Sequence, residues 1–215
     1  MARYNGLNET LDTQVNDWAK ELSSLTPPHG LIDYLRSHGI ARNDFIERYR
    51  LGYDPGRDAL SIPYLTAAGV ASVKFRCVAG HDCGSIPGHA KYMQNSGNKS
   101  RLYNTRAYFD ATETIGLCEG EIDAIAATEL VGIPTMGYPG ANQWAKYGEF
   151  WEVALRDFDR VIVFADGDAP GLECARAVVA CIGTRATLVR CADGSDVSGM
   201  CVSGRLEELR GRAGL

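Results

Sequence analysis

The run Val161–Gly171, VIVFADGDAPG, constrains this chain more than any other stretch. Arg160 to Phe164 is an unbroken series dominated by β-branched and aromatic residues, the pattern of a strand buried on both faces. It stops at Asp166-Gly167-Asp168, and Pro170 then suits the first turn of a helix that Gly171 to Ile182 can continue. Two carboxylates spaced i, i+2 at a strand end can point the same way, because the side-chain period of a strand is two. Such a pair is costly unless a cation neutralises it or one member holds a proton. Two readings follow. One is a magnesium site at the carboxyl edge of a parallel sheet; the other is an Asx-type turn that caps the following helix.

From Thr114 onward the alternation repeats. Strands are predicted over Thr114–Cys118, Ile133–Met136, Arg160–Ala165 and Thr187–Cys191, with helices over Glu121–Leu130, Gln143–Leu155 and Pro170–Ile182. A closing helix over Asp196–Leu209 is interrupted by Gly199 and Gly204. This order predicts a parallel sheet covered on both sides. Neither GxGxxG nor GxxxxGK[ST] occurs, so neither a dinucleotide fold nor an ATP-driven motor is supported. Carboxylates close three strand ends: Glu119 after the first, Asp166 and Asp168 after the third, Asp193 and Asp196 after the fourth. In an open α/β sheet these ends share one edge, where ligands bind.

The segment before this has a different texture. Leu7, Leu11, Val15, Trp18, Leu22 and Leu25 have helical spacing, ended by Thr26-Pro27-Pro28. Short helices follow over Leu31–Ser37 and Asn43–Tyr49, with Gly39 as the break. His29 and His38 fall in turns and read as polar surface residues. Leu60–Leu65 and Val70–Val78 form a predicted hairpin around Thr66-Ala-Ala-Gly69, and its second arm puts Lys74 and Arg76 on one face. Residues 79–100 are glycine-rich and irregular.

The formal charge of −5 hides a segregation. Between Gly56 and Arg106 the bases are Arg57, Lys74, Arg76, Lys91, Lys99, Arg101 and Arg106, against Asp58 and Asp82 alone. A basic stretch beside an acidic one suits an enzyme that acts on phosphate chains with a metal, though a solvated face explains it too. The seven cysteines include no CxxC pair, which suggests reduced thiols and a cytoplasmic protein. No run is long enough for a membrane span, and MARYNGLNETLDTQ lacks the apolar core of a secretory signal. Cys77, His81, Cys83 and His89 lie close together, but their spacing matches no standard structural zinc motif and strand alternation accounts for Cys77. No zinc site is expected in this chain.

Taken as a set, the motifs resemble a known family. Glu119-Gly-Glu-Ile-Asp123, Asp166-Gly-Asp168 and Asp193-Gly-Ser-Asp196 look like the successive motifs of the Toprim domain of primases, topoisomerases and some nucleases. Upstream, Val73-Lys-Phe-Arg76, Lys91-Tyr92 and Arg101-Leu-Tyr-Asn104 resemble the basic subdomain of DnaG-type primases. The phrase EGEIDAIAATEL is similar to the primase half of phage primase–helicases. The resemblance spans Leu31 to Val197. It implies N-terminal helices (1–55), a small mixed α+β basic subdomain (56–110) and a Rossmann-like Toprim parallel sheet flanked by helices (111–215).

It also implies an activity: a DNA primase catalytic core that makes short RNA primers from ribonucleoside triphosphates on single-stranded DNA. Glu119, Asp166 and Asp168, with Asp196 assisting, would hold Mg²⁺ or Mn²⁺. Lys74, Arg76, Lys91 and Arg101 would grip template and triphosphate. Tyr92 and Tyr103 are candidates for base stacking or for core packing, Asp123 for a supporting or capping role, and Glu121 for a solvent-facing position. Lys99 is a weaker binding candidate, and the loop from Gly137 to Asn142 either approaches a nucleotide or is a plain turn. The zinc ribbon and helicase motor usual in the family are not encoded here, so both would come from partners in trans or from a longer chain. The alternatives are a Toprim metal-dependent nuclease and a non-catalytic nucleic-acid-binding replisome module. The chain is too short for the added domains of a topoisomerase.

Overall fold

The computed structural model describes residues 2–94 and 97–215, with side chains from Thr10 onward, so Leu7 lies outside the described side chains. The chain divides into two compact units, Met1–Lys99 and Ser100–Leu215.

In the first unit, helix α1 (Ala2–Ser24) lays Val15 and Trp18 against Ala59, Val70, Val73 and Phe75 of an antiparallel sheet. Trp18 meets Phe75 edge-on at 5.1 Å, a favoured aromatic geometry. The i, i+3/i+4 spacing of Leu11, Val15, Trp18 and Leu22 supplies this apolar stripe. Helices α2 (Gly30–Ser37) and α3 (Asn43–Tyr49) follow. His29 is the N-cap of α2, with Nδ1 accepting from the Leu31 amide at 3.2 Å, and Gly39 leaves the helix at φ +71°.

The sheet has the order β1-β2-β3-β4, with β1 Gly52–Asp54, β2 Ala59–Thr66, β3 Gly69–Cys77 and β4 Tyr92–Gln94. The β2–β3 hairpin is the predicted one. β1 and β4 carry no local signal at three residues each, and pairing to a longer neighbour defines them.

In the second unit α4 (Ala107–Asp110) precedes four parallel strands: β5 Thr114–Glu119, β6 Thr135–Tyr138, β7 Arg160–Ala165 and β8 Ala186–Arg190. Helices α5 (Glu121–Ala126), α6 (Ala141–Leu155) and α7 (Ala169–Ile182) connect them, and α8 (Val197–Val202) and α9 (Leu206–Ala213) close the unit. The predicted α/β fold, a parallel sheet flanked by helices, is present. Helix α5 is shorter than expected because Ala127–Val131 widens into a π turn. The predicted closing helix is two helices, separated where Gly204 takes φ +76°.

Strand order decides where the site lies. The order is β6-β5-β7-β8, so the chain leaves β5 in one direction for β6 and then returns to the other side for β7 and β8. The crevice above the carboxyl ends of β5 and β7 is therefore the topological switch point, the usual ligand position in such sheets. Leu117, Ile115, Val161 and Val163 fill the core beneath it. No described helix is long and apolar enough to cross a membrane.

Candidate metal centre and nucleic-acid interface

Glu119 is the last residue of β5 and Asp166 the first after β7, so the neighbouring strands bring both to the switch point. Both are half-buried. Burial first, then the charges of Asp196, Glu119 and Asp168, push the Asp166 carboxyl up to about 7 from 3.8. Acids from three strand ends thus act on Asp166.

Asp168 is exposed and caps α7, its Oδ1 accepting the Gly171 amide at 2.7 Å. Asp196 caps α8, its Oδ1 accepting from the Gly199 amide at 2.6 Å and from Ser198 Oγ at 3.0 Å. The capping reading of these aspartates therefore holds: Oδ1 of each caps a helix, which leaves the second oxygen of each uncommitted to that cap. Asp193 turns outward to pair with Arg190 at 2.7 Å and is not among the charges acting on Asp166.

Gly167 fixes the spacing of the pair. Its amide donates to Ser195 O at 2.7 Å, and a side chain there would overlap the Ala192 carbonyl oxygen. The glycine between the aspartates admits the β8–α8 loop, and that contact draws Asp196 toward Asp166. On the other flank, Glu119 Oε1 lies beside Gly140, where an added Cβ would be 3.8 Å away.

The donors are hard oxygens, as Mg²⁺ or Mn²⁺ requires, and their mutual repulsion is what a divalent cation relieves. Among the described residues, no three of these carboxylates bring an oxygen each within 4.8 Å of one another.

Two acids differ from expectation or add to it. Glu121, expected to face solvent, is 2 % exposed in the first turn of α5. Asp123 accepts the Ser198 amide at 2.8 Å, and burial with Asp196 and Asp166 nearby pushes its carboxyl well above the usual range. Helical periodicity gave no warning about Glu121, because both faces of a helix packed on a sheet edge can be covered.

In the first unit, β3 holds Lys74 and Arg76 on one face, and β4 pairs Tyr92 opposite Arg76. The Lys74 ammonium lies 4.5 Å and the Arg76 guanidinium 5.1 Å from the Tyr92 ring centre. Arg76 also reaches the Tyr34 ring at 5.0 Å. These rings hold the two cations extended on the strand surface. Lys91, just before β4, and Lys99 are exposed.

Arg101, near the start of the second unit, is half-buried, and its Nε is buried without a hydrogen-bond partner. Tyr103 is 2 % exposed and pairs its backbone with Gly137 on the free side of β6, so it is a core residue and not a base-stacking platform. Tyr92 is 40 % exposed, with Lys74 and Arg76 against its ring. Gly137 packs against the Gly120 backbone, so its bareness serves the fold.

The Gene 57 protein of Mycobacterium phage D29 is 38 % identical to this chain over 152 residues, 68 % of this chain and 92 % of that protein. This chain belongs to the Gene 57 family. The fold has wider kin. A DNA primase domain from Pseudomonas aeruginosa superposes with TM-score 0.75 at 15 % identity, covering 97 % of this chain and 78 % of that one. The RNA polymerase domain of Mycobacterium tuberculosis primase DnaG, in complex with a DNA duplex bearing a 6-nucleotide overhang, gives 0.74 at 16 % identity over 100 % and 80 %. No family model matches the chain. The Gene 57 member described here thus has the fold of a DnaG-type primase catalytic core, as the Toprim resemblance implied.

Proposed function

We propose that this Gene 57 family member is a DNA primase catalytic core, a DNA-directed RNA polymerase that joins ribonucleoside triphosphates into short primers on single-stranded DNA. The carrying observation is that the charges of Asp196, Glu119 and Asp168 all act on Asp166 at a switch-point crevice. Support comes from the fold, whose solved neighbours are primase cores, one of them in complex with DNA.

Glu119, Asp166 and Asp168, with Asp196, would hold one or two Mg²⁺ or Mn²⁺ ions. When bound, such ions would supply charge neutralisation at the triphosphate and a lowered pKa at the primer 3′-hydroxyl. Glu119 and Asp166 contribute half-buried carboxylates whose field is little screened by water. Asp168 and Asp196 each commit Oδ1 to a helix cap, which fixes the rotamer of the remaining oxygen.

Arg101 suits the triphosphate, because a guanidinium offers paired donors and its Nε awaits an acceptor. Lys74, Arg76 and Lys91 suit the template backbone, where each neutralised phosphate releases counterions. A zinc-ribbon module and a replicative helicase, carried on a longer chain or supplied in trans, are the proposed partners.

The test supplies single-stranded DNA, labelled ribonucleoside triphosphates and Mg²⁺ or Mn²⁺ to the full chain. Short RNA that requires both template and triphosphates is expected. Metal-dependent hydrolysis of nucleic acid without triphosphates would overturn the reading in favour of a nuclease. Absence of RNA even after addition of a primase zinc-ribbon module would also overturn it.

A further inference from the structure

The first unit gathers four soft metal ligands at one point. Cys77 ends β3, and His81, Cys83 and His89 follow in the connection to β4. One ligand atom from each lies within 4.8 Å of all the others. His81 Nε2 and His89 Nε2 are 3.0 Å apart, and Cys77 Sγ is 3.3 Å from His89 Nε2 and 3.7 Å from His81 Nε2. Cys83 completes the group, its Sγ within 4.8 Å of the other three ligand atoms.

These separations match the edges of a coordination tetrahedron. With Zn–S about 2.3 Å and Zn–N about 2.0–2.1 Å, the edges are roughly 3.3 Å for N···N, 3.6 Å for S···N and 3.8 Å for S···S. Both imidazoles present Nε2 to the same point as two sulfurs. Hydrogen bonding satisfies such a set poorly, because four lone pairs converge where at most a few protons are available.

The surrounding chain gives a second, independent reason. From Val78 to Lys91 no residue is buried, so this connection has no apolar core of its own to set its course. Its course is nonetheless specific: the Cys77 amide donates to Lys91 O at 2.9 Å, and a short 3₁₀ turn spans Cys83–Ser85 under the Asp82 cap. Segments with too little apolar burial are commonly held by a disulfide or a structural metal. The seven cysteines are all free thiols, which leaves the metal.

We infer that Cys77, His81, Cys83 and His89 form a closed tetrahedral zinc site that fastens the end of β3 to the strand β4. Two thiolates and two imidazoles select zinc over the hard ions suited to the acidic crevice. The spacing Cys-x₃-His-x-Cys-x₅-His departs from the familiar finger and ribbon patterns, so the sequence groups the four residues but only the tertiary structure shows them converging. With four protein ligands the ion is structural. It fixes the strand that carries Tyr92 and the turn that carries Lys91.

The test uses the full chain, purified reduced in metal-scrubbed buffer. One equivalent of zinc retained through gel filtration is expected. Cobalt replacing it should give thiolate-to-cobalt charge transfer and the intense visible bands of tetrahedral coordination, which the carboxylates of the acidic crevice cannot produce. Cys83→Ser and His89→Ala change side chains that are not buried, and each should weaken zinc binding on the order of 100-fold or more. Cys201→Ser, outside the group, should bind as the parent does. Chelation should speed amide exchange in residues 78–94 while leaving the parallel-sheet unit protected. The inference is overturned if no zinc is retained and cobalt gives no thiolate band. It is equally overturned if both ligand variants keep the parental affinity and spectrum.

Discussion

Asp123 Oδ1 accepts the backbone N–H of Ser198 at 2.8 Å, tying α5 to the first turn of α8 across 75 residues of chain. That helix start is also where Asp196 faces the crevice, so Asp123 positions an acid it does not itself replace. Asp123→Ala leaves a buried amide unpaired and is expected to cost about 1–3 kcal/mol of stability. Asp123→Asn keeps an acceptor and should retain most of it. Urea unfolding of the two variants decides, and equal midpoints for Ala and parent would remove the role.

The proton on Asp166 sets a pH dependence. Its folded-state pKa of about 7 lies above the ordinary 3.8. Between those values the folded protein holds this proton more tightly than the unfolded chain does. Its contribution to stability is therefore full at the acid end of that window and is lost as pH rises through about 7. Mg²⁺ competes with the same proton, so its affinity should rise with pH up to about 7 and then level off. Asp166→Asn should remove the pH dependence of Mg²⁺ affinity and reduce that of stability, leaving the share that the buried Asp123 carboxyl contributes, as measured by thermal melts with and without Mg²⁺. A parental profile in that variant would assign the titration elsewhere.

Asp168 separates capping from metal binding. Asp168→Asn preserves an oxygen for the Gly171 amide and should fold normally while losing nucleotidyl transfer. Asp168→Ala also loses the cap, a further cost of about 0.5–2 kcal/mol. Circular dichroism melts and the primer assay on both variants distinguish the two effects. Primer synthesis by folded Asp168→Asn at the parental rate would dismiss this carboxylate from the site.

Gly167 has no room for a side chain beside the Ala192 carbonyl. Gly167→Ala should shift the β8–α8 loop, destabilise the protein by about 1–3 kcal/mol and weaken Mg²⁺ binding. Isothermal titration with Mg²⁺ alongside unfolding measures both. Unchanged stability would mean the loop contact is not a close one.

Arg76 and Lys91 should contribute sequence-independent affinity for single-stranded DNA. Each neutral replacement is expected to reduce the slope of log K against log salt by about 0.7, the value for one single-strand phosphate contact. Fluorescence anisotropy across a salt series reads it. An unaltered slope excludes the replaced side chain from the DNA contact.

Local pattern carried far into the sheet unit. The β-branched run Arg160–Ala165 forms β7 as expected, because a strand covered on both faces needs apolar residues without alternation. The acids following strands could be assigned to an edge because every parallel strand ends on the same side. Motif resemblance supplied the family-level expectation. Apolar and strand-like neighbours already allowed core packing for Tyr103, and it lies in the core beside β6; the same local logic failed for Glu121, expected to face solvent and 2 % exposed.

The order of residues alone determined the alternation of strands and helices, the acids at strand ends and the basic hairpin face, since each depends on neighbours a few positions away. Tertiary structure decided which strands adjoin, and so set Glu119 and Asp166 on opposite lips of one crevice. It also buried Glu121, defined the three-residue strands and brought two histidines onto two cysteines. Those outcomes come from contacts between distant segments, whose pairing is chosen by packing and hydrogen-bond satisfaction across the whole unit rather than by any local period.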